Sequence, residues 1–322
     1  MAIFRHTDDL PEDARHAVVA VGNFDGVHRG HQSVIAEAAA EARRLHAPLG
    51  VLTFEPHPRQ VFQPDLPPFR LTPLRIKARV LESLGVDHLY VLHFDWDLAA
   101  KTAEAFVRDI LVRDLSARHV VTGWNFRFGN KRRGDAQLLR ELAQEGGYGV
   151  TTVEPVAGEG GEVFSSSRVR EALVEGQPEE AARLLGRAWE IEGRVEHGDK
   201  RGRTIGFPTA NVALGEYLVP ALGVYAVRAG IDEGQQTDWA NGVANLGRRP
   251  TVDGTRVQLE VHIFDRKPEL YGAHLRVQLL HYLRGEKKFD GLDALRAQIA
   301  RDCEEARSRL EGRACTPGEA PQ

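Results

Sequence analysis

The chain of 322 residues has only two cysteines, Cys303 and Cys315, both near the C-terminus. Neither has ligand-like neighbours, so they make no disulfide framework and fit a reducing cytoplasm. No apolar run approaches the length needed to cross a membrane. The opening stretch, MAIFRHTDDLPEDARH, is polar and lacks the apolar core of a signal peptide. Positive charge is not in excess. Lys and Arg number 42 against 46 Asp and Glu, a net charge of −4, which leaves no electrostatic footprint for nucleic acid or an anionic membrane. No internal repeat is visible, and neither HExxH nor the GxxxxGK[ST] phosphate loop occurs. What is present is an ordinary globular composition, 42% hydrophobic and 27% charged, long enough for two domains with separate cores.

The most informative stretch is AVVAVGNFDGVHRGH, from Ala17 to His31. Ala17–Val21 is rich in β-branched residues and reads as a buried strand. Gly22 ends it, and Asn23-Phe24-Asp25-Gly26 reads as a turn. Gly30-His31 leads into a helix whose apolar positions Val34, Ile35, Ala38, Ala39, Ala42 and Leu45 recur at helical spacing. A strand, a glycine-bearing turn and a helix start make an anion site, because free N–H groups and the helix dipole point there. His28 and His31, three residues apart, stand at its mouth on one face. Surface or capping histidines are the plain reading. A metal site lacks a third ligand nearby. A pair at this junction is better suited to donate hydrogen bonds to phosphate and to hold charge on a leaving pyrophosphate.

From Ala17 to about Gly186 strands and helices alternate. Strands are expected at Leu49–Phe54, His88–Leu92, His119–Thr122 and Val150–Val153, with helices at Leu74–Leu84, Thr102–Val112 and Ala136–Gln144. This pattern predicts a parallel sheet covered on both faces, with ligands beyond the carboxyl ends of its strands. Three polar segments follow that rule. Thr53–Pro58 reads TFEPHP, a loop stiffened by prolines that carries His57. Gly123–Gly129 reads GWNFRFG; here Asn125 and Arg127 suit an amide-like edge and a phosphate, while Phe126 and Phe128 serve equally as core. Phe164–Arg170 reads FSSSRVR and opens a helix, where serines cap or grip phosphate. Lys131-Arg132-Arg133 reads as a solvated charge run as readily as a substrate attractor.

Beyond the short helix Pro178–Leu185 the pattern shifts to short alternating strands, which suggests a small closed barrel. The expected domains are therefore 1–186 and 187–322, with a final helix from about Leu292 to Leu310 and a frayed tail from about 311. The loop Gly198–Asn211, GDKRGRTIGFPTAN, carries the glycines, cations and hydroxyls of a phosphate cradle, or of a mobile basic loop. Val257–Phe264 alternates, so Glu260 and His262 share one face and Leu259, Val261 and Ile263 the other. Glu260 on an outward face could be merely solvated.

HRGH resembles the HxGH signature of nucleotidyltransferases. The longer string VGNFDGVHRGHQ resembles the opening of bacterial bifunctional riboflavin kinase/FAD synthetases. TFEPHP and GWNFRFG match the same family. FSSSRVR resembles its ISSTxIR motif, with Ser167 for the usual Thr and Phe164 for the usual Ile, which leaves open which serine acts. GRTIGFPTAN, NLGRRPT, LEVHIFD, LYG and RGEKKF follow in the family's order, so the resemblance spans almost the whole chain. It implies a Rossmann-like α/β nucleotidyltransferase domain followed by an antiparallel β-barrel kinase domain with a C-terminal helix.

The implied chemistry is phosphorylation of riboflavin to FMN and adenylylation of FMN to FAD, with ATP as co-substrate and Mg²⁺ as cofactor. His28 and His31 would be catalytic in the first domain. Gly22, Phe24, Asp25, Gly30, Ser165, Ser166, Ser167 and Arg168 would meet ATP phosphates. His57, Asn125, Arg127 and Phe128 would meet the flavin. In the second domain Glu260 would be the catalytic carboxylate, with Gly198, Lys200, Arg203, Gly206, Thr209 and Asn211 on ATP and Asn245 and Arg249 beside the flavin. Thr209 and Asn211 would hold the metal. Expected partners are riboflavin, FMN, FAD and ATP, with no nucleic acid and no membrane, in a cytoplasmic monomer or weak homo-oligomer. Two rival readings are an adenylyltransferase for another phosphate ester and a flavin-binding sensor with inactive sites. Intact His28, His31 and Glu260 argue against the sensor.

Overall fold

The computed structural model describes residues 1–158, 160–196, 206–233, 236–251, 254–266, 270 and 272–311. Gly198, Lys200 and Arg203 of the expected phosphate loop lie outside the described residues, as do Tyr271 and the tail 312–322. The chain forms two compact units, Met1–Pro67 with Thr72–Ser165, and Pro68–Leu71 with Ser166–Gln322.

The first unit runs β1 (Ala2–Phe4), β2 (Val18–Val21), α1 (Arg29–Leu45), β3 (Leu49–Glu55), α2 (Pro58–Phe62), α3 (Leu74–Ser83), β4 (His88–His93), α4 (Trp96–Ala100), α5 (Ala103–Phe106), β5 (His119–Gly123), α6 (Ala136–Gly146) and β6 (Gly149–Val153). Its strands form one sheet in the order β1-β4-β3-β2-β5-β6, every pairing parallel. All the expected strands are there. The edge strand β1 is additional, a three-residue segment too short and exposed to show a pattern. The expected helix over 102–112 begins as α5 and continues as a π-helix, Val107–Asp114.

Every residue of β2 is buried, and its alternation feeds two cores. Val18 and Ala20 pack with Val34, Ile35, Ala38 and Ala42 of α1 and Leu81 of α3. Val19 and Val21 pack with Phe106, the π-helical Ile110 and Leu111, and Leu139 of α6. Helices thus cover both faces, as a parallel sheet requires. The chain passes from β2 to β3 and β4 on one side, then returns to place β5 on the other side of β2. The loops after β2 and β5 therefore leave neighbouring strand ends at the topological switch point, where such sheets bind ligands.

The second unit comprises α7 (Ser166–Val174), α8 (Pro178–Leu185), β7 (Trp189–Glu196), β8 (Ala210–Ala213), β9 (Gly223–Glu233), β10 (Gln236–Thr251), β11 (Gly254–Ile263), β12 (His274–Arg284) and α9 (Leu292–Leu310). The strands close into an antiparallel barrel, β10-β11-β8-β7-β12-β9. The compact division falls at Ser165/Ser166, earlier than the change of pattern at Gly186. The reason is packing. Leu173 of α7 accepts a hydrogen bond from Ala221 N–H at 3.0 Å, Ala181, Leu184 and Leu185 of α8 are fully buried, and Glu179 meets His281 of β12 at 2.6 Å. Outside the barrel, Ala306 and Leu310 of α9 cover Val224, Ala226, Val243 and Phe264. Buried Asp302 ties the same helix to Arg284 through two hydrogen bonds of 2.8 and 2.6 Å.

Candidate active sites

In the first unit the site is built on the turn between β2 and α1. Phe24 and Val27 have φ of 47° and 44° and Gly26 of 93°, so three residues of the turn lie in the left-handed region. For non-glycine residues this is strained and persists only where neighbours enforce it. Thr72 does so reciprocally. Its N–H donates to Asp25 Oδ1 at 3.0 Å, and its Oγ1 accepts from Gly26 N–H at 2.8 Å. Phe24 and Asp25 are 1% and 2% exposed, so their side chains shape the turn from within rather than presenting a face to solvent. The Phe24 ring meets His31 edge-on at 5.2 Å. Gly22 follows the same logic, since a Cβ there would press on the Phe24 ring at 3.3 Å.

The two histidines are brought together. Their rings lie near-parallel, 3.7 Å apart at 23°. His28 is the N-cap of α1, and its Nδ1 accepts from His31 N–H at 3.3 Å. A ring nitrogen that accepts carries no proton, which leaves Nε2 as the nitrogen able to donate. The cap uses Nδ1 alone, so capping and the expected catalytic role fall to different nitrogens. Gly30 between them is tightly enclosed: a Cβ would sit 3.2 Å from the His28 ring and 3.2 Å from Phe164 O. That contact also brings the segment leading to Ser165 against the start of α1. Ser166, Ser167 and Arg168 open α7 and are counted with the second unit, where Arg168 lies 3.8 Å from Glu180.

Two more loops carry the remaining candidates. His57 caps α2, with Nδ1 accepting from Arg59 N–H at 3.1 Å and its own N–H donating to Gln60 Oε1 at 3.0 Å. After β5, Asn125 is exposed, and Arg127 pairs with Asp135 at 2.8 Å. Phe128 is only 6% exposed and belongs to the apolar core. It stacks on Phe126 at 5.5 Å and meets Phe106 at 5.5 Å. Of the two roles open to it in the sequence, core packing is the one its burial displays.

In the barrel, register decides the site. Glu260 of β11 lies directly opposite Asn211 of β8 and Asn245 of β10. The row before it, Val212–Leu259–Leu246, faces inward and is fully buried. The polar row is therefore on the outer face, continuing across β9 to Val224 under α9. Glu260 is outward, yet its side chain is only 17% exposed, because Arg249 covers and pairs with it. The segment leading into β8 is pinned by His262, whose Nδ1 meets Pro208 O at 2.9 Å and whose ring meets Phe207 at 5.5 Å. This puts Thr209 one residue from the strand that holds Asn211, which is itself buried. Gly206, with φ of 91°, lets the incoming backbone turn.

Sequence reasoning passed over three contributors. His262 lies inside LEVHIFD and could have been found from that motif. Glu286 lies inside RGEKKF; a Cβ on Gly247 would meet Glu286 Oε1 at 2.8 Å and Asn245 Nδ2 at 3.2 Å, so Glu286 borders the polar row. Lys77 of α3 had no signal beyond a cation on an apolar helix face.

A switch-point crevice with paired imidazoles at a helix start, carried on one chain with a barrel bearing a carboxylate between two amides, defines a two-unit enzyme that transfers phosphorus-containing groups. A family model for FAD synthetase matches residues 10–168 and one for riboflavin kinase matches residues 185–310. The chain is 46% identical over 286 residues to the bifunctional riboflavin kinase/FMN adenylyltransferase of Escherichia coli K12, covering 88% of this chain and 90% of the relative. It is 40% identical over 302 residues to the Bacillus subtilis protein of the same name, covering 92% and 93%. A crystal structure from Streptococcus pneumoniae, described as a macrolide-efflux protein, superposes with a TM-score of 0.83 at 33% identity, covering 96% of this chain and 98% of that one. The chain belongs to the bifunctional riboflavin kinase/FMN adenylyltransferase family. Among the described residues, no helix is long and apolar enough to cross a membrane.

Proposed function

We propose that the chain makes both flavin cofactors in sequence. The barrel transfers the γ-phosphoryl group of ATP to a riboflavin hydroxyl, giving FMN and ADP. The α/β domain then directs a phosphate oxygen of FMN onto the α-phosphorus of a second ATP, giving FAD and pyrophosphate. The assignment follows the expected domains, 187–322 for phosphorylation and 1–186 for adenylylation.

One observation carries the reading: both chemistries have assembled residues in the same chain. For phosphorylation, Glu260 stands between Asn211 and Asn245 and takes the proton of the attacking hydroxyl, as phosphoryl transfer needs. Arg249 holds that carboxylate in place and borders the flavin with Asn245. The Thr209 hydroxyl and the Asn211 amide are hard oxygen donors at the entrance to β8, a set that suits Mg²⁺ completed by water and phosphate. Bound there, Mg²⁺ would neutralise phosphate charge. Gly198, Lys200, Arg203 and Gly206 complete the ATP loop in this reading.

For adenylylation, His28 and His31 donate to the α-phosphate and to the departing pyrophosphate, at a helix start whose dipole favours the same charge. Gly22 and Gly30 admit the nucleotide closely, while Ser165, Ser166, Ser167 and Arg168 contact phosphate oxygens. His57, Asn125 and Arg127 face the flavin, and Phe128 backs that wall. The chain works in the cytoplasm as a monomer or weak homo-oligomer, with riboflavin, FMN, FAD and ATP as its small-molecule partners.

The test is a time course of the purified protein with riboflavin and MgATP, products resolved at each point. FMN should rise first and FAD follow, with ADP and pyrophosphate in step. Absence of FAD from added FMN and MgATP would remove the first site's assignment, and absence of FMN the second's.

A further inference from the structure

Lys77 is fully buried, a cation on the apolar face of α3 beside Ile76 and Leu81. Its ammonium donates to Asn23 O at 2.9 Å, Thr53 Oγ1 at 3.2 Å and Glu55 Oε1 at 3.1 Å. Thr53 Oγ1 in turn donates to the same Asn23 carbonyl at 3.1 Å. Asn23 opens the strained turn that leads to His28 and His31. Glu55 ends β3 immediately before the Pro56-His57 loop. One buried cation therefore joins the two loops that leave β2 and β3.

Burying an ammonium is costly, and a helix face of this kind would pack more stably around a leucine or methionine. The cost is offset by these partners, one on the β2–α1 turn and two at the carboxyl end of β3. The turn itself is strained at Phe24 and Val27, and strain of this sort relaxes when its restraints are removed. Thr72 restrains it at Asp25 and Gly26, leaving Asn23 to Lys77 and Thr53.

The geometry points to Lys77 as a positioning residue for adenylyl transfer, which fixes the β2–α1 turn against the end of β3 through Asn23, Thr53 and Glu55. It touches no reacting atom. It acts by holding the histidine pair and the His57 loop in register with one another, where a misplacement of about 1 Å can cost about 10²-fold in rate. This rests on the adenylyltransferase reading of the first unit. Riboflavin phosphorylation in the same chain supplies the internal control.

The experiment compares full-length wild type, Lys77→Met, Lys77→Arg and Lys77→Met with Glu55→Gln. Melting temperature, kcat and KM for FMN adenylylation, and the riboflavin kinase rate are measured for each. Lys77→Met should lower adenylylation kcat by about 10- to 100-fold and leave the kinase rate unchanged. Lys77→Arg, which keeps the charge, should recover part of kcat. The double variant also removes the Glu55 charge that faced Lys77, so it should regain melting temperature without regaining kcat. A purely packing lysine would instead restore both together, and that result overturns the proposal. Should Lys77→Met not fold, Thr53→Val carries the test, because it removes one of the two donors on Asn23 and leaves the Lys77–Glu55 pair. A fall in kcat of about 3- to 10-fold is expected from losing that hydrogen bond, and a wild-type kcat overturns the proposal. Wild-type protein that makes no FAD at all would overturn the adenylyltransferase reading instead.

Discussion

The ring of His31 lies 3.7 Å from that of His28, nearly parallel to it, and donates its backbone N–H to His28 Nδ1. His28 thus caps α1 through Nδ1 while its other ring nitrogen, Nε2, is not used by the cap. Replacing it with Asn keeps a good cap acceptor and removes the imidazole donor. His28→Asn should therefore fold like wild type and lose adenylylation by about 10²–10³-fold, as should His31→Ala. Riboflavin phosphorylation should stay near wild type. Equal loss of both activities would indicate misfolding and defeat the assignment.

Glu260→Gln keeps the shape of the row formed with Asn211 and Asn245 but removes the basic oxygen and the charge that Arg249 pairs with. Loss of a positioned base slows reactions by about 10²–10⁴-fold. Riboflavin kinase initial rates should fall accordingly, with FMN adenylylation in the same tube unaffected. Thr209→Ala should also slow the kinase, and excess Mg²⁺ should partly restore it but not Glu260→Gln. A wild-type kinase rate for Glu260→Gln would return that residue to the plain surface of the barrel.

Asp302 is 4% exposed and accepts from two of the three guanidinium nitrogens of Arg284, Nε and Nη2. Removing one partner of such a pair leaves a buried charge and costs about 3–5 kcal/mol. Asp302→Ala should lower the urea midpoint of the second unit by a matching amount. Adding Arg284→Met should recover part of it. No change in midpoint would mean that α9 is held by Ala306 and Leu310 alone.

His119 starts β5 and is buried, with a ring nitrogen 2.8 Å from Thr151 Oγ1. Burial holds its pKa below the usual 6.5; Glu41, 3.9 Å away, opposes this, Arg44 adds to it, and Glu37 opposes it. The folded state thus binds its proton less readily than the unfolded state. The stability this ring contributes is present above about pH 6.5 and is lost as pH falls below it. Melting temperature should drop between pH 7.5 and 5.5, and His119→Gln should flatten the drop. Parallel curves for the two proteins would show that other groups govern it.

A fragment beginning at Ser166 should fold more stably than one beginning at Arg187. The shorter piece loses α7 and α8, with buried Leu173, Ala181, Leu184 and Leu185, and large apolar deletions typically cost several kcal/mol. Both should still convert riboflavin to FMN, and neither should make FAD. Melting temperature and product analysis decide it; equal stability would show that α7 and α8 add nothing to the barrel.

The alternation of strands and helices from Ala17 to Val153, and of short strands after Gly186, was legible in the sequence, because side-chain periodicity reports local backbone and burial directly. So was the strand–turn–helix placing of His28 and His31, which lie close together in the chain. The compact division at Ser165 was not legible, since α7 and α8 look like continuations of the first pattern and only their packing assigns them to the barrel. Glu260 shows the same limit from the other side. Alternation predicted that it faces away from Leu259 and Val261. Only the register of β8, β11 and β10 decided that Glu260 stands between Asn211 and Asn245 on this outward face, because hydrogen-bond pairing between distant strands leaves no local trace. Lys77 marks the furthest reach of tertiary structure. A lysine on an apolar helix face reads as a solvated exception, and what makes it a clamp is that Asn23, Thr53 and Glu55 meet around it in space.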